Sequence, residues 1–158
     1  MSKEKGFSLI ELLIVVAIIL IIAAIAIPNL LRARIAANES SAVASVRTIN
    51  TAEVAYNSAY PTVGYSADLP SLGGTSCSPP SSSSACLIDT TLAAGTKSGY
   101  SFNYSSAGSP VLSAYQVWAN PIVANQTGVR SFCSTGDGVV RFAMSAMSGC
   151  AGTETPLQ

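Results

Sequence analysis

The sequence predicts an α+β chain in which a long amino-terminal helix packs on a head built from a small antiparallel β-sheet. Three observations predict this class. Residues 9–27 form an apolar run, a helical spacing of apolar residues continues to about residue 59, and short alternating segments follow between residues 100 and 144. Helices and strands that are segregated along the chain are typical of α+β proteins.

Composition narrows the possible functions. Lys plus Arg number 8 and Asp plus Glu number 8, so the formal net charge is zero, and charged residues make up only 10% of the chain. Such a composition does not indicate a nucleic-acid surface. The chain has no histidine, which removes Ser-His-Asp and Cys-His catalysis and the commonest zinc ligand. We therefore assign no catalytic, cofactor-binding or metal-binding residues and predict that the chain is not an enzyme.

The apolar run is long enough to cross a membrane once. Residues 7–27 would extend about 30 Å as a helix, at about 1.5 Å per residue, which is close to the thickness of a bilayer's hydrocarbon layer. Lys3 and Lys5 precede the run. Basic residues on this side predict a cytoplasmic amino terminus. We expect the chain after Asn29 to face outward.

Glu11 interrupts this run. A carboxylate inside a membrane segment costs several kcal/mol and usually has a partner. No Lys or Arg lies between Phe7 and Asn29, so we expect a partner from another molecule or from a free amino terminus. The alternative is an acid that is merely tolerated near the membrane surface. Glu11 also argues against an ordinary secretory signal peptide, in which the apolar region is uninterrupted.

The helix is predicted to continue to Ala59 as an amphipathic segment, residues 29–59, after the membrane-spanning residues 7–28. Its apolar positions recur mostly at spacings of three and four residues. They are Leu30, Leu31, Ile35, Val43, Val46, Ile49, Ala52, Tyr56 and Ala59. Pro28 has no amide donor and should kink the helix where the two parts meet. Charged residues of this segment, Glu39 and Glu53 among them, are expected near polar surroundings.

Residues 60–158 are predicted to form the head. Residues 60–99 are rich in Gly, Pro and Ser, which predicts a loop with little regular structure. Four alternating segments then predict an antiparallel meander over about residues 100–144. They cover residues 100–105, 115–119, 129–133 and 139–144. Residues 134–138 have the composition of a hairpin connection.

Four cysteines predict disulfide bonds in this distal half. The number of cysteines is even and no two of them form a CxxC pair, which favours disulfide bonds in an oxidising compartment over a structural metal site. They are Cys77, Cys86, Cys133 and Cys150. Chain order favours Cys77 with Cys86 and Cys133 with Cys150, although four cysteines allow three pairings.

The segment GFSLIELL at residues 6–13, followed by an unbroken apolar run to Pro28, resembles the amino-terminal signature of type IV pilins and their pseudopilin relatives. Residues 115–121 and 127–133 are similar to the distal sheet of these proteins. The resemblance implies that a prepilin peptidase removes residues 1–6 as a leader, by cutting between Gly6 and Phe7, and methylates Phe7. It also implies that Glu11 neutralises the new amine of a neighbouring subunit.

The function that this resemblance implies is a structural subunit of a type IV pilus, polymerised through its amino-terminal helix. Its partners would be further copies in a helical filament, the inner membrane, the prepilin peptidase and the pilus assembly machinery. The precursor would be a single-pass protein of the inner membrane. The assembled subunit would be part of an extracellular filament for adhesion, motility or DNA uptake. Two alternatives stay open: a pseudopilin of a type II secretion system, and a membrane-anchored binding protein that never polymerises.

Overall fold

The computed structural model describes residues 6–74 and 77–157. Its contacts divide the chain into two compact units, Met1–Arg34 and Ile35–Gln158. Of the predicted leader, only Gly6 belongs to the described residues. Lys3 and Lys5, which predict the orientation in the membrane, lie outside them.

Helix α1 is continuous from Leu9 to Ala59 and includes Pro28. Because proline lacks the amide hydrogen, the carbonyl of Ala24 has no helical donor at this point. The helical assignment nevertheless runs through Pro28. The kink at Pro28 stays a prediction.

Six strands form one antiparallel sheet in chain order. The strands are β1 (Thr96–Lys97), β2 (Tyr100–Ala107), β3 (Ala114–Pro121), β4 (Ser131–Thr135), β5 (Arg141–Ala143) and β6 (Thr155–Pro156). The longest pairing joins β2 to β3, from Tyr100 opposite Pro121 to Ala107 opposite Ala114. The predicted α+β class, a long apolar helix with an antiparallel sheet, is confirmed. The sheet extends beyond the predicted residues 100–144 at both ends, through β1 and β6.

The core of the second unit joins the later part of α1 to one face of the sheet. Val46, Ile49 and Tyr56 of α1 belong to the same buried cluster as side chains of the sheet, among them Val117 and Phe132. Their spacing along α1 places them on one face of the helix. Successive residues of a strand point to opposite faces, so the polar side chains of β3 lie on the outer face.

The region predicted as a loop, residues 60–99, contains more structure than its composition indicates. Two one-turn helices occur there, α2 (Leu69–Leu72) and α3 (Thr90–Ala93). Each begins after an aspartate whose side chain accepts a hydrogen bond from a backbone N–H of the turn. Such caps satisfy amide groups that a first helical turn leaves unpaired, and here they stabilise turns that are too short to show a period.

Candidate assembly site

Glu11 lies in the first turn of α1 and caps it. Its Oε2 accepts a hydrogen bond from the backbone N–H of Ser8 at 3.0 Å. Ser8 immediately precedes the helix, and the pattern Ser-x-x-Glu is that of a capping box, in which the acid satisfies the amide of the capping residue. One carboxylate oxygen of Glu11 therefore already has a backbone donor within the chain. The sequence predicted a partner only from another molecule or from a free amino terminus, and that prediction is incomplete.

The side chains around Glu11 are apolar and exposed. Leu9, Ile10 and Leu12 expose 77, 67 and 56% of their surface. By length and composition, α1 could cross a membrane, and it is the one such helix within the described ranges. A helix that is apolar on all sides is stable when lipid or other helices surround it. No described residue buries the apolar part of α1, so this part requires lipid or another molecule to cover it.

Gly6 and Phe7 precede α1 and are both exposed. A Cβ atom added to Gly6 would meet no atom within 4 Å. The peptide bond between the two residues is therefore accessible in the described part of the chain. Cleavage at this bond and methylation of Phe7 stay predictions.

In the second unit, Glu39 ties α1 to the segment that precedes β4. Its Oε1 accepts the backbone N–H groups of Val129 and Arg130 at 2.9 and 3.1 Å. Its Oε2 accepts a hydrogen bond from Nε of Arg130 at 2.9 Å and forms an ion pair with Nη2 of the same guanidinium at 2.8 Å. Burial alone would raise the pKa of Glu39, but the two backbone donors and Arg130 outweigh it and hold that pKa below its ordinary value.

We expect the head to lose stability as the pH falls from about 4.5 to about 2. Two carboxyl groups of the head have lowered pKa values. One is Glu39, and the other is Asp137, whose pKa the Arg141 guanidinium lowers to about 2. A carboxyl group whose pKa is lower in the folded than in the unfolded chain contributes stability above the unfolded pKa, and this stability is lost as the pH falls through the folded pKa. Thermal unfolding at successive pH values, followed by the fluorescence of Trp118, measures the loss.

Glu39→Gln is the matched variant for this prediction. It should be less stable than the wild type at neutral pH, because the Arg130 guanidinium loses its counter-ion. It should also lose less stability on acidification, because one titrating group is gone. Equal acid sensitivity of the two proteins would contradict the contribution of Glu39.

Glu53 is a second acid of α1 that the head buries completely. Its Oε2 accepts the backbone N–H of Ser66 at 3.0 Å, and its Oε1 accepts the Ser66 hydroxyl at 2.5 Å. The Tyr104 hydroxyl in turn donates to the Ser66 carbonyl at 3.1 Å. The polar surroundings expected for Glu39 and Glu53 are thus buried hydrogen-bond partners, which link α1 to the rest of the head.

The head contains two disulfide bonds, Cys77–Cys86 and Cys133–Cys150, as the even cysteine count predicts. The second bridge holds the segment after β5 against β3 and β4. Asn120 exchanges two hydrogen bonds with the backbone of Met147, at 2.8 and 2.9 Å. Glu154 lies beside Cys133 and Cys150, but these two sulfurs are bonded to each other and are not available as thiolate ligands.

Together these features define a class of protein, in which an exposed apolar helix with one acid in its first turn precedes a disulfide-bonded antiparallel head. Residues 1–27 match the family described as the prokaryotic N-terminal methylation motif. The type IV wide pilus major component PilA4 of Thermus thermophilus is 65% identical to the chain over 40 residues, which are 25% of this chain and 30% of that protein. The type IV major pilin protein PilA of Myxococcus xanthus is 45% identical over 54 residues, which are 34% of this chain and 24% of that protein.

The motif and both relatives support a resemblance of the amino-terminal part of the chain to type IV pilins. The matched segments span less than a third of the length of either relative. No solved structure matches the chain.

Proposed function

We propose that the chain is a structural, non-enzymatic subunit of a type IV pilus, processed by a prepilin peptidase and polymerised through α1. The observation that carries the proposal is the exposed apolar surface of α1 with a single acid in its first turn. Lipid can cover this surface in a monomer, and the same surface of other copies can cover it in a filament. The methylation motif and the similarity to two major pilus proteins support the polymer.

Cleavage after Gly6 supplies a charged partner for Glu11. The cut creates a cationic amine on Phe7, one residue before the amide that Glu11 already accepts. In the described residues the hydrogen bond of Glu11 engages Oε2, and Oε1 can accept the amine of a neighbouring copy. Between apolar helices little water competes for this pair, although the loss of hydration offsets much of the attraction. The pair therefore sets the register of neighbouring helices more than it adds stability.

The proposal includes a location and partners. The precursor crosses the inner membrane once through residues 7–28, with the head outside, and the assembled pilus is extracellular. The prepilin peptidase and the pilus assembly machinery act on it, and the filament serves adhesion, motility or DNA uptake. In the family that the chain resembles, the major pseudopilins of type II secretion systems commonly lack paired disulfide bonds. The two disulfide bonds of this head therefore favour a pilus subunit over such a pseudopilin.

Mass spectrometry of filaments sheared from the cell surface tests this function. We expect electron microscopy to show filaments, and we expect their main protein to begin at Phe7 and to carry one additional methyl group there. A mature chain that retains Met1, or one that begins beyond Ile27, would contradict the proposal, because the amine could then not lie beside Glu11.

A further inference from the structure

The head has a group of exposed apolar side chains that its core does not bury. They lie in the loop between β3 and β4, residues 122–130, which we name the knob loop. Ile122, Val123 and Val129 expose 57, 42 and 38% of their surface. Exposed apolar side chains grouped in this way often mark a protein–protein contact.

The knob loop is held in one conformation by hydrogen bonds at both ends and at its tip. The Ile122 N–H donates to the Gly99 carbonyl at 3.0 Å, and the amides of Gln126 and Thr127 donate to the Val123 carbonyl at 3.2 and 2.9 Å. Asn38 of α1 donates to the Thr127 carbonyl at 2.9 Å, next to the contacts of Glu39 described above. Because the loop is already ordered, binding through it does not incur the entropic cost of ordering a loop.

A groove of about 350 Å³ lies elsewhere on the same unit, and we name it the α1 groove. It runs between the exposed face of α1 and Leu87, and its lining includes Arg47, Thr51 and Ala55. Leu87 exposes 38% of its surface, and small side chains on the helix leave room for a neighbouring backbone. Arg47 forms no ion pair within residues 6–74 and 77–157.

We infer that in the filament the knob loop of one copy occupies the α1 groove of the next, an inference that rests on the proposed function. An open polymer requires two different complementary patches on each subunit, because a patch that pairs with itself closes a dimer. The knob loop and the α1 groove are two such patches. Residues 122–129 carry no charge, and Arg130 at the end of the loop is paired with Glu39 of its own copy. The loop therefore brings no unpaired cation to Arg47, and the exposed amide side chains of Asn125 and Gln126 offer it acceptors.

The positions of the two patches along α1 give the contact a direction. The knob loop is bonded to α1 at Asn38 and Glu39, whereas Thr51 lies in the middle of the groove lining. At about 1.5 Å per residue, the twelve residues from Glu39 to Thr51 correspond to about 18 Å along the helix axis. The contact therefore displaces successive copies along the filament.

Cysteine cross-linking in cells that assemble the full chain tests this contact. In the double variant Leu87→Cys/Val123→Cys every copy can link to two neighbours, so a non-reducing gel should show a ladder of covalent oligomers. Each single variant should give no ladder. The matched control is Leu87→Cys/Val139→Cys, since Val139 exposes 39% of its surface but lies outside the knob loop; it should give no ladder either.

A second variant, Ile122→Ser/Val123→Ser, measures the contact without new cysteines. We expect the amount of sheared filament to fall at least about tenfold, because two apolar side chains lose their burial, while the melting temperature of the head is unchanged. Normal filament yield in this variant, no ladder in the double cysteine variant, or dimers from a single variant would overturn the inference. If wild-type filaments form but one of these three outcomes is observed, only the knob-loop contact is wrong and the proposed function stands. If the wild type forms no filaments, the proposed function fails as well.

Discussion

Glu11→Gln is expected to lower the yield of surface filaments at least about tenfold while the variant still inserts in the membrane. Glutamine can replace glutamate in a capping box, so the hydrogen bond with the Ser8 amide is retained and the first turn of α1 is kept. The negative charge is lost, and the amine of the neighbouring Phe7 is left without a counter-ion. Removal of one partner from a buried ion pair costs about 3–5 kcal/mol, which exceeds a tenfold change in the equilibrium of each contact.

Two further variants separate the charge from the cap. Glu11→Ala removes both and should assemble no better than Glu11→Gln, whereas Ser8→Pro removes the amide that donates to Glu11, keeps the charge and should retain most of the filaments. The measurement is the ratio of sheared pilin to total cellular pilin, with the membrane fraction as the control for insertion. If Glu11→Gln assembles normally and Ser8→Pro does not, capping is the main role of Glu11 and the assembly role is wrong.

Glu53→Ala should destabilise the head by about 3 kcal/mol or more. The substitution leaves the N–H and hydroxyl of Ser66 without their acceptor in a buried site, at about 1–3 kcal/mol for each unsatisfied group, and it leaves a cavity. Glu53→Gln keeps the volume and one acceptor, so its loss should be smaller. Thermal or denaturant unfolding of the full chain in detergent, followed by Trp118 fluorescence, measures both losses.

The adjacent Val54 provides the control for this prediction. Its side chain is 64% exposed, so Val54→Ala should change the free energy of unfolding by no more than about 0.5 kcal/mol. A Glu53→Ala variant as stable as Val54→Ala would show that the Glu53–Ser66 contacts do not hold α1 to the head.

The sequence predicted α1 and the sheet well where a periodic pattern extends over many residues. Tyr56, Ile49 and Val46 recur at helical spacing, and they are the residues that the core buries. In contrast, Val129 was predicted to begin a strand, but β4 begins at Ser131. The reason is a long-range contact, because the amides of Val129 and Arg130 donate to Glu39 and are not free for the sheet.

Two features of the candidate site were missed for different reasons. The cap formed by Ser8 and Glu11 has a local sequence signal, Ser-x-x-Glu before an apolar run. The cost of a charge in a membrane segment predicts a distant partner for Glu11 but does not predict this local one. The burial of Glu53 has no local signal. Its acceptor role depends on Ser66, which lies beyond the end of the helix and is brought back by the chain turn at residues 60–65.

In the proposed filament, the Glu11 carboxylate of one copy pairs with the Phe7 amine of the next. Electron cryo-microscopy of wild-type filaments, at a resolution that shows side chains, tests it most directly. The account predicts a Phe7 amine within about 4 Å of the Glu11 carboxylate of a neighbouring subunit, the usual limit for an ion pair. A filament in which Glu11 contacts only the Ser8 amide of its own chain would contradict it.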